Sequence, residues 1–166
     1  RISFTNMDYN PRPLGEKGAV LNSMFNRFHS FRISQRKAKA YENGVEPNLI
    51  KNFIIHFCNN DKVIYEYVFA IFAFVLQVPW KVPGILLVIQ GGKGIGKTLL
   101  YKILEQILGD VNCTSISDIE QLVGRFNDKR KDKKIVCLEE IGSSVYDPKN
   151  WNKIKDMITS GKGSFD

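Results

Sequence analysis

One eight-residue stretch carries most of the chemical information in this chain: Gly91-Gly92-Lys93-Gly94-Ile95-Gly96-Lys97-Thr98. It fits G-x-x-x-x-G-K-[ST], with Gly91, Gly96, Lys97 and Thr98 at the fixed positions. The chemistry of such a loop is phosphate binding. Successive backbone N–H groups point inward and wrap phosphate oxygens, and the helix that follows adds partial positive charge at its N-terminus. Residues 91–99, ending at Leu99, are therefore the expected nucleotide contacts. The Lys97 ammonium is expected at the β- and γ-phosphates, and the Thr98 hydroxyl at Mg²⁺.

A second signal lies downstream in Ile135-Val-Cys-Leu-Glu139-Glu140. Four apolar residues form a buried strand, and two carboxylates emerge at its C-terminal end. Ligands of open α/β sheets bind at that edge. Alternation along a strand sends the two carboxylates in different directions. By position, Glu139 is assigned to Mg²⁺ and Glu140 to the base that orients and deprotonates an attacking water. A water-orienting carboxylate favours hydrolysis of a nucleoside triphosphate over transfer to a small acceptor. Catalysis of phosphoryl transfer is mostly positioning and charge neutralisation.

The elements that must hold these groups are legible from periodicity. Ile85–Gln90 is an apolar, β-prone run, read as the strand entering the loop. Leu99–Leu108 has helix spacing and Gly109 as a stop. A short strand is expected over Val111–Thr114. Ser117-x-x-Glu120 reads as a capping box opening a short helix toward Gly124. Lys134–Glu139 is the acidic strand. Asp147-Pro148 starts a helix through Trp151, Ile154, Met157 and Ile158, ended by Gly161. Strands and helices alternate, the signature of a parallel α/β sheet.

Upstream of Pro79-Trp-Lys-Val-Pro-Gly84 the pattern is mostly helical. Pro47–Cys58 is amphipathic through Leu49, Ile50, Phe53, Ile54 and Phe57. Asn60 or Asp61 caps a second helix reaching Val78. Gly18–Phe31 carries Phe25, Phe28 and Phe31 at a spacing of three, read as one helical face. Phe25, Phe28, Phe53, Phe57, Phe69 and Phe72 are expected to be largely buried. The chain thus divides into an extended arm over 1–16, a helical collar-like region over 17–80, and a nucleotide-binding α/β domain over 81–166.

Composition bounds the rest. The 166 residues carry 24 Lys and Arg against 17 Asp and Glu, a net charge of +7 that suits a polyanionic partner. Lys129-Arg-Lys-Asp-Lys-Lys134 is the densest basic run, read either as a solvated loop or as a nucleic-acid contact. Cys58, Cys113 and Cys137 lack C-x-x-C spacing and read as buried free thiols of a reducing, intracellular compartment. His29 and His56 are isolated, which argues against a metal cluster. Tyr67–Gln77 is apolar but too short for a bilayer, which needs roughly 18 or more residues, so no membrane is expected. The chain begins at Arg1 and stops at Asp166 soon after an expected helix, and it reads as part of a longer polypeptide.

The ordered motifs resemble the helicase part of superfamily 3 proteins of the AAA+ class, of the poxvirus type and the phage or plasmid primase-helicase type. Phe25-Asn-Arg-Phe-His-Ser-Phe31 resembles the YN-x-[FW]-x-G-[FW] element ahead of that ATPase, with Ser30 where the family often has glycine. Gln77-Val-Pro-Trp-Lys-Val-Pro-Gly84 resembles the family's approach to the phosphate loop. Leu122-Val-Gly-Arg-Phe-Asn127 resembles an L-x-G-x-F-N stretch, and Lys153-Ile-Lys-Asp-Met-Ile-Thr159 the helix that leads to a DNA-contacting hairpin. The resemblance implies an AAA+ (ASCE-type) parallel-sheet ATPase behind a helical collar, C-terminally incomplete here. It implies ATP and Mg²⁺ as ligands and a homo-oligomeric, usually hexameric, ring threading single-stranded DNA. It also places the γ-phosphate-sensing asparagine and the arginine finger beyond Asp166.

Two further classes compete with a replicative DNA helicase motor. One is an assembly module in which nucleotide glues subunits without unwinding. The other is a non-helicase P-loop enzyme such as a small-molecule kinase, against which the Glu139-Glu140 pair argues. DNA-stimulated ATP hydrolysis separates a helicase from an assembly module.

Overall fold

Local caps set most helix boundaries. The computed structural model describes residues 6–8, 10–11, 24–26, 28, 30–32, 48–124, 129–139 and 146–159. Helix α1 spans Asn48–Phe57 and α2 spans Lys62–Gln77. Between them Asn59 and Asn60 sit at φ 56° and 59°, left-handed values that asparagine tolerates. Of the two candidate caps, Asp61 does the capping. Its Oδ1 accepts hydrogen bonds from the N–H groups of Val63 (2.9 Å) and Ile64 (3.1 Å), donors that no helix carbonyl reaches. Asp147 likewise accepts from Lys149 N at 2.8 Å, with Pro148 in the first turn, and opens α5, Pro148–Thr159.

Helix α3, Lys97–Leu108, ends at Gly109, whose φ of 95° suits glycine. A 3₁₀ turn over Asp110–Asn112 follows, then β3, Cys113–Ile116, and the short helix α4, Ile119–Val123. Strand β4 spans Ile135–Leu138 and pairs parallel with β3, from Cys113 opposite Ile135 to Ile116 opposite Leu138. Backbone bonds extend the ladder at both ends: Lys134 N donates to Asn112 O (2.7 Å) and Glu139 N to Ile116 O (2.9 Å). A second parallel pair joins β1, Asn6–Asp8, to β2, Met24–Asn26.

Alternation in β4 distributes its side chains between two layers. Val136 and Leu138 pack on a core of Ile116, Ile119, Leu122, Val123 and Ile154, supplied largely by α4 and α5. Ile135 and Cys137 pack against Phe31, Tyr101, Leu108 and Cys113, together with Val75 and Leu76 at the end of α2. The parallel pair is therefore covered on both faces, as parallel strands require. A third cluster, Ile54, Cys58, Val68 and Leu100 with Phe53, Phe57, Tyr65, Phe72 and Ile89, joins the α1–α2 hairpin to the first turn of α3.

Several expectations need correction. Ile85–Gln90 forms no strand: among the described residues it pairs with no other backbone, and a ladder needs a partner as well as β propensity. Ile85, Leu86 and Val88 remain exposed. Strand β3 begins at Cys113 rather than Val111, because the 3₁₀ turn takes up the preceding residues; Asn112 Nδ2 anchors that turn on Leu108 O at 2.9 Å. The cap of α4 is Asp118, which accepts from Glu120 N at 3.0 Å, not Ser117. The Gly18–Phe31 helix is interrupted by β2, and the rest of that stretch lies largely outside the described residues. Phe28 and Phe31 meet edge to face at 5.5 Å, and Phe31 is buried. Phe53, Phe57 and Phe72 are half-buried, whereas Phe69 is 45% exposed. Trp151, expected on the apolar line of α5, is also exposed, while Ile154 is buried as expected. Gly161 lies outside the described residues. The three cysteines are free thiols. No helix among the described residues is long and apolar enough to cross a membrane.

Lys134 ties the two halves together. Its Nζ donates to Pro79 O at 2.5 Å, bridging the exit of α2 to the start of β4. Burial pushes this ammonium from 10.5 down to about 8, with the Asp132 carboxylate acting in the opposite sense. The unfolded chain therefore holds this proton more tightly than the folded one between pH about 8 and 10.5. In that window the Lys134 contribution to stability rises with pH; below it, the full cost of burying the charge is present. Urea titrations across this range should show wild type gaining stability relative to Lys134→Met. A difference independent of pH would mean that the lysine titrates in the folded protein as it does in the unfolded chain.

Candidate phosphate-binding site

The glycine-rich stretch folds into a loop that feeds directly into α3. Gly94 and Gly96 have φ of 84° and 94°, a conformation that side-chain-bearing residues avoid, and Gly96 is the N-cap of α3. The first helical bond runs from Leu100 N to Gly96 O at 2.9 Å. The N–H groups of Lys97, Thr98 and Leu99 therefore belong to the first turn and have no carbonyl of their own helix to meet. Among the described residues nothing lies within 4 Å of the side-chain positions at Gly92 and Gly94, so both backbones are open to close approach. The Ile95 side chain folds back over Gly91, where any Cβ would overlap its Cδ1.

Lys97 crosses this loop. Its Nζ donates to Gly91 O and Gly92 O, both at 2.8 Å. The ammonium thus lies at the neck of the glycine loop on an exposed side chain, beside the open Gly92 backbone. Lys93 and Thr98 are exposed, and Leu99 is about half exposed; Leu100 next to it is buried in the α1–α2 cluster and pins the helix start. A phosphate chain fits these residues: an open glycine backbone, orphan first-turn N–H groups, a cation and a hydroxyl converge on one helix N-terminus.

Glu139 follows β4 directly and is exposed at its C-terminal end. By alternation Glu139 continues the face of β4 that carries Ile135 and Cys137. That face packs on Tyr101 and Leu108, so the acidic end of β4 lies on the side of the helix that carries the loop. The Lys102 ammonium on α3 is pushed up, chiefly by its hydrogen bond to Glu105, then by the Glu105 charge, with Glu139 adding in the same direction. Lys102 lies five residues after Lys97, about 7.5 Å along the helix axis. Glu140 lies outside the described residues. Among the described residues no three His, Cys, Asp or Glu side chains converge on a common metal position. Thr98 offers a hydroxyl and Glu139 a carboxylate, oxygen donors of the kind that hold Mg²⁺ jointly with substrate phosphates. Thr98 and Glu139 would hold that ion.

The basic run resolves into separate roles. Lys129 Nζ donates to Gln121 Oε1 at 2.9 Å, Lys133 Nζ to Val111 O at 2.8 Å, and Lys134 to Pro79 O. Three of its cations thus hold neighbouring segments in place, while Lys131 is exposed. The sequence put Phe53 on the apolar face of α1 but placed neither it nor Lys102 near the site. Lys102 was hidden because a lysine on a helix surface is unremarkable by pattern. Phe53 packs against Gly96, a long-range contact that periodicity cannot reveal.

Residues 89–165 match a protein family described only as one of unknown function, DUF5906. The matched span takes in the loop, α3, β3, α4, β4 and α5. No curated protein and no solved structure matches the chain.

Proposed function

We propose that this chain binds ATP with Mg²⁺ at Gly91–Thr98 and hydrolyses it as a DNA helicase motor of the P-loop, AAA+ type. The observation that carries nucleotide binding is the loop itself: left-handed glycines, an open backbone and the Lys97 ammonium converge on the N-terminus of α3. Hydrolysis is supported by Glu139, at the end of a parallel strand and on the face that packs against that helix. The family match spans the loop and the acidic strand together, which favours reading them as one unit. The motor assignment rests on the ordered sequence motifs and on the net charge of +7. On this reading the working form is a homo-oligomeric ring with single-stranded DNA in its channel.

The division of labour is then as follows. The Gly92–Thr98 backbone orients the phosphates. Lys97 exchanges its two carbonyl partners for β- and γ-oxygens and neutralises charge as the bond to the γ-phosphoryl group loosens. Thr98 and Glu139 would hold the Mg²⁺, which would supply further charge neutralisation. Glu140 takes the proton of the attacking water.

Calorimetric titration with Mg²⁺–ATP, followed by phosphate-release assays with and without single-stranded DNA, tests this assignment. Saturable binding at one site per chain and DNA-stimulated turnover are expected. Binding without hydrolysis, unaffected by DNA, would instead support the assembly module, and no binding would remove the loop from any nucleotide chemistry.

A further inference from the structure

The α1–α2 hairpin meets the last glycine of the phosphate loop through the ring of Phe53. A Cβ placed on Gly96 would lie 3.0 Å from Phe53 Cε2 and 3.2 Å from Phe53 Cζ. The space that a side chain would need at position 96 is thus filled by an aromatic ring from α1. Phe53 does not act alone. Its ring meets that of Phe57 at 5.8 Å, and both pack on Ile54, Cys58, Val68 and Leu100. Leu100 belongs to the first turn of α3, and Ile89 of the same cluster precedes the loop. One apolar cluster therefore grips the chain before the loop, at its last glycine and just after it.

We propose that Phe53 is a positioning residue for nucleotide, holding Gly96 in the left-handed conformation that aims the first N–H groups of α3 at the phosphates. The inference rests on the nucleotide-binding reading of the loop. Its physical basis is the freedom of glycine. At φ 94° Gly96 is in a region open to it, but glycine alone has little preference among its basins. The ring blocks inward collapse of the backbone at that point, and its own position is fixed by the hairpin. The loop then samples fewer conformations, and binding costs less ordering. A consequence is mechanical coupling: any shift of α1 moves the floor of the phosphate site.

The test compares nucleotide affinity with stability in the full chain. Phe53→Ala should weaken Mg²⁺–ATP binding about tenfold, as when the competent loop falls to about a tenth of the population. Phe53→Met refills the space with a flexible side chain of similar reach and should restore most of the affinity. Phe72→Ala removes a ring from the same cluster and serves as the control. It should lower the unfolding midpoint comparably while leaving affinity near that of wild type. If Phe53→Ala does not fold, Phe53→Leu is read in its place. Wild-type affinity in a folded Phe53→Ala or Phe53→Leu protein would overturn the inference alone. So would equal weakening by Phe72→Ala, which would reduce the effect to general loosening of the cluster. Absence of saturable binding in wild type would instead overturn the nucleotide reading on which the inference stands.

Discussion

Replacement of Lys97 by alanine is expected to abolish productive ATP binding while leaving the fold intact. The ammonium makes two 2.8 Å bonds to Gly91 O and Gly92 O across an exposed loop, and among the described residues no buried group bonds to it. Its loss should therefore change the unfolding free energy by no more than about 0.5 kcal/mol, the usual range for a surface substitution. Nucleotide binding is another matter. Each hydrogen bond from a charged donor contributes about 1.5–3 kcal/mol, so losing contacts to two phosphates should weaken binding by roughly 10²–10⁴-fold. The developing charge at the transferred phosphoryl group would also lose the Lys97 cation, and turnover should fall at least as far. Calorimetry and phosphate release on a variant with a native circular dichroism spectrum check both halves. Near-normal affinity and rate together would take the loop out of the mechanism.

How much of this site was legible beforehand depended on the range of the interactions that build it. Helices α1, α2, α3 and α5 were legible because each carries its own signals: periodic apolar positions, and Asp61, Gly109 or Asp147-Pro148 at a boundary. These act over a few residues and survive in any tertiary setting. The same logic located β4 and the carboxylate at its end. The start of β3 was missed because Asn112 folds its side chain back on Leu108 O, a choice invisible to hydropathy. The parallel pairing of β1 with β2 was missed because a ladder between distant segments leaves little trace in either one. Ile85–Gln90 was misread for the complementary reason: its residues favour a strand, but strand formation is a property of two backbones. The Phe53–Gly96 contact likewise joins two elements whose patterns are independent.

A second large effect is expected from Glu140→Gln: nucleotide binding retained, hydrolysis lost. The argument starts from Glu139, exposed at the C-terminal end of β4 on the strand face that packs against α3. Glu140 is the next residue in sequence. Successive side chains of an extended chain diverge, so one carboxylate is suited to the metal and its neighbour to a water. Glutamine keeps the size and still hydrogen-bonds water, yet it cannot accept the proton. General bases contribute roughly 10²–10⁴-fold, and kcat should fall by about that factor. The phosphates, Lys97 and Thr98 are untouched, so affinity for Mg²⁺–ATP should stay near that of wild type. Glu139→Gln supplies the contrast, since removing a ligand charge should raise the Mg²⁺ concentration needed for half-maximal turnover. Single-turnover hydrolysis measured across a magnesium series separates the two roles. If Glu140→Gln shifts the magnesium requirement and Glu139→Gln leaves it alone, the two carboxylates have exchanged places. If neither slows hydrolysis, the acidic end of β4 is not the catalytic half of the site.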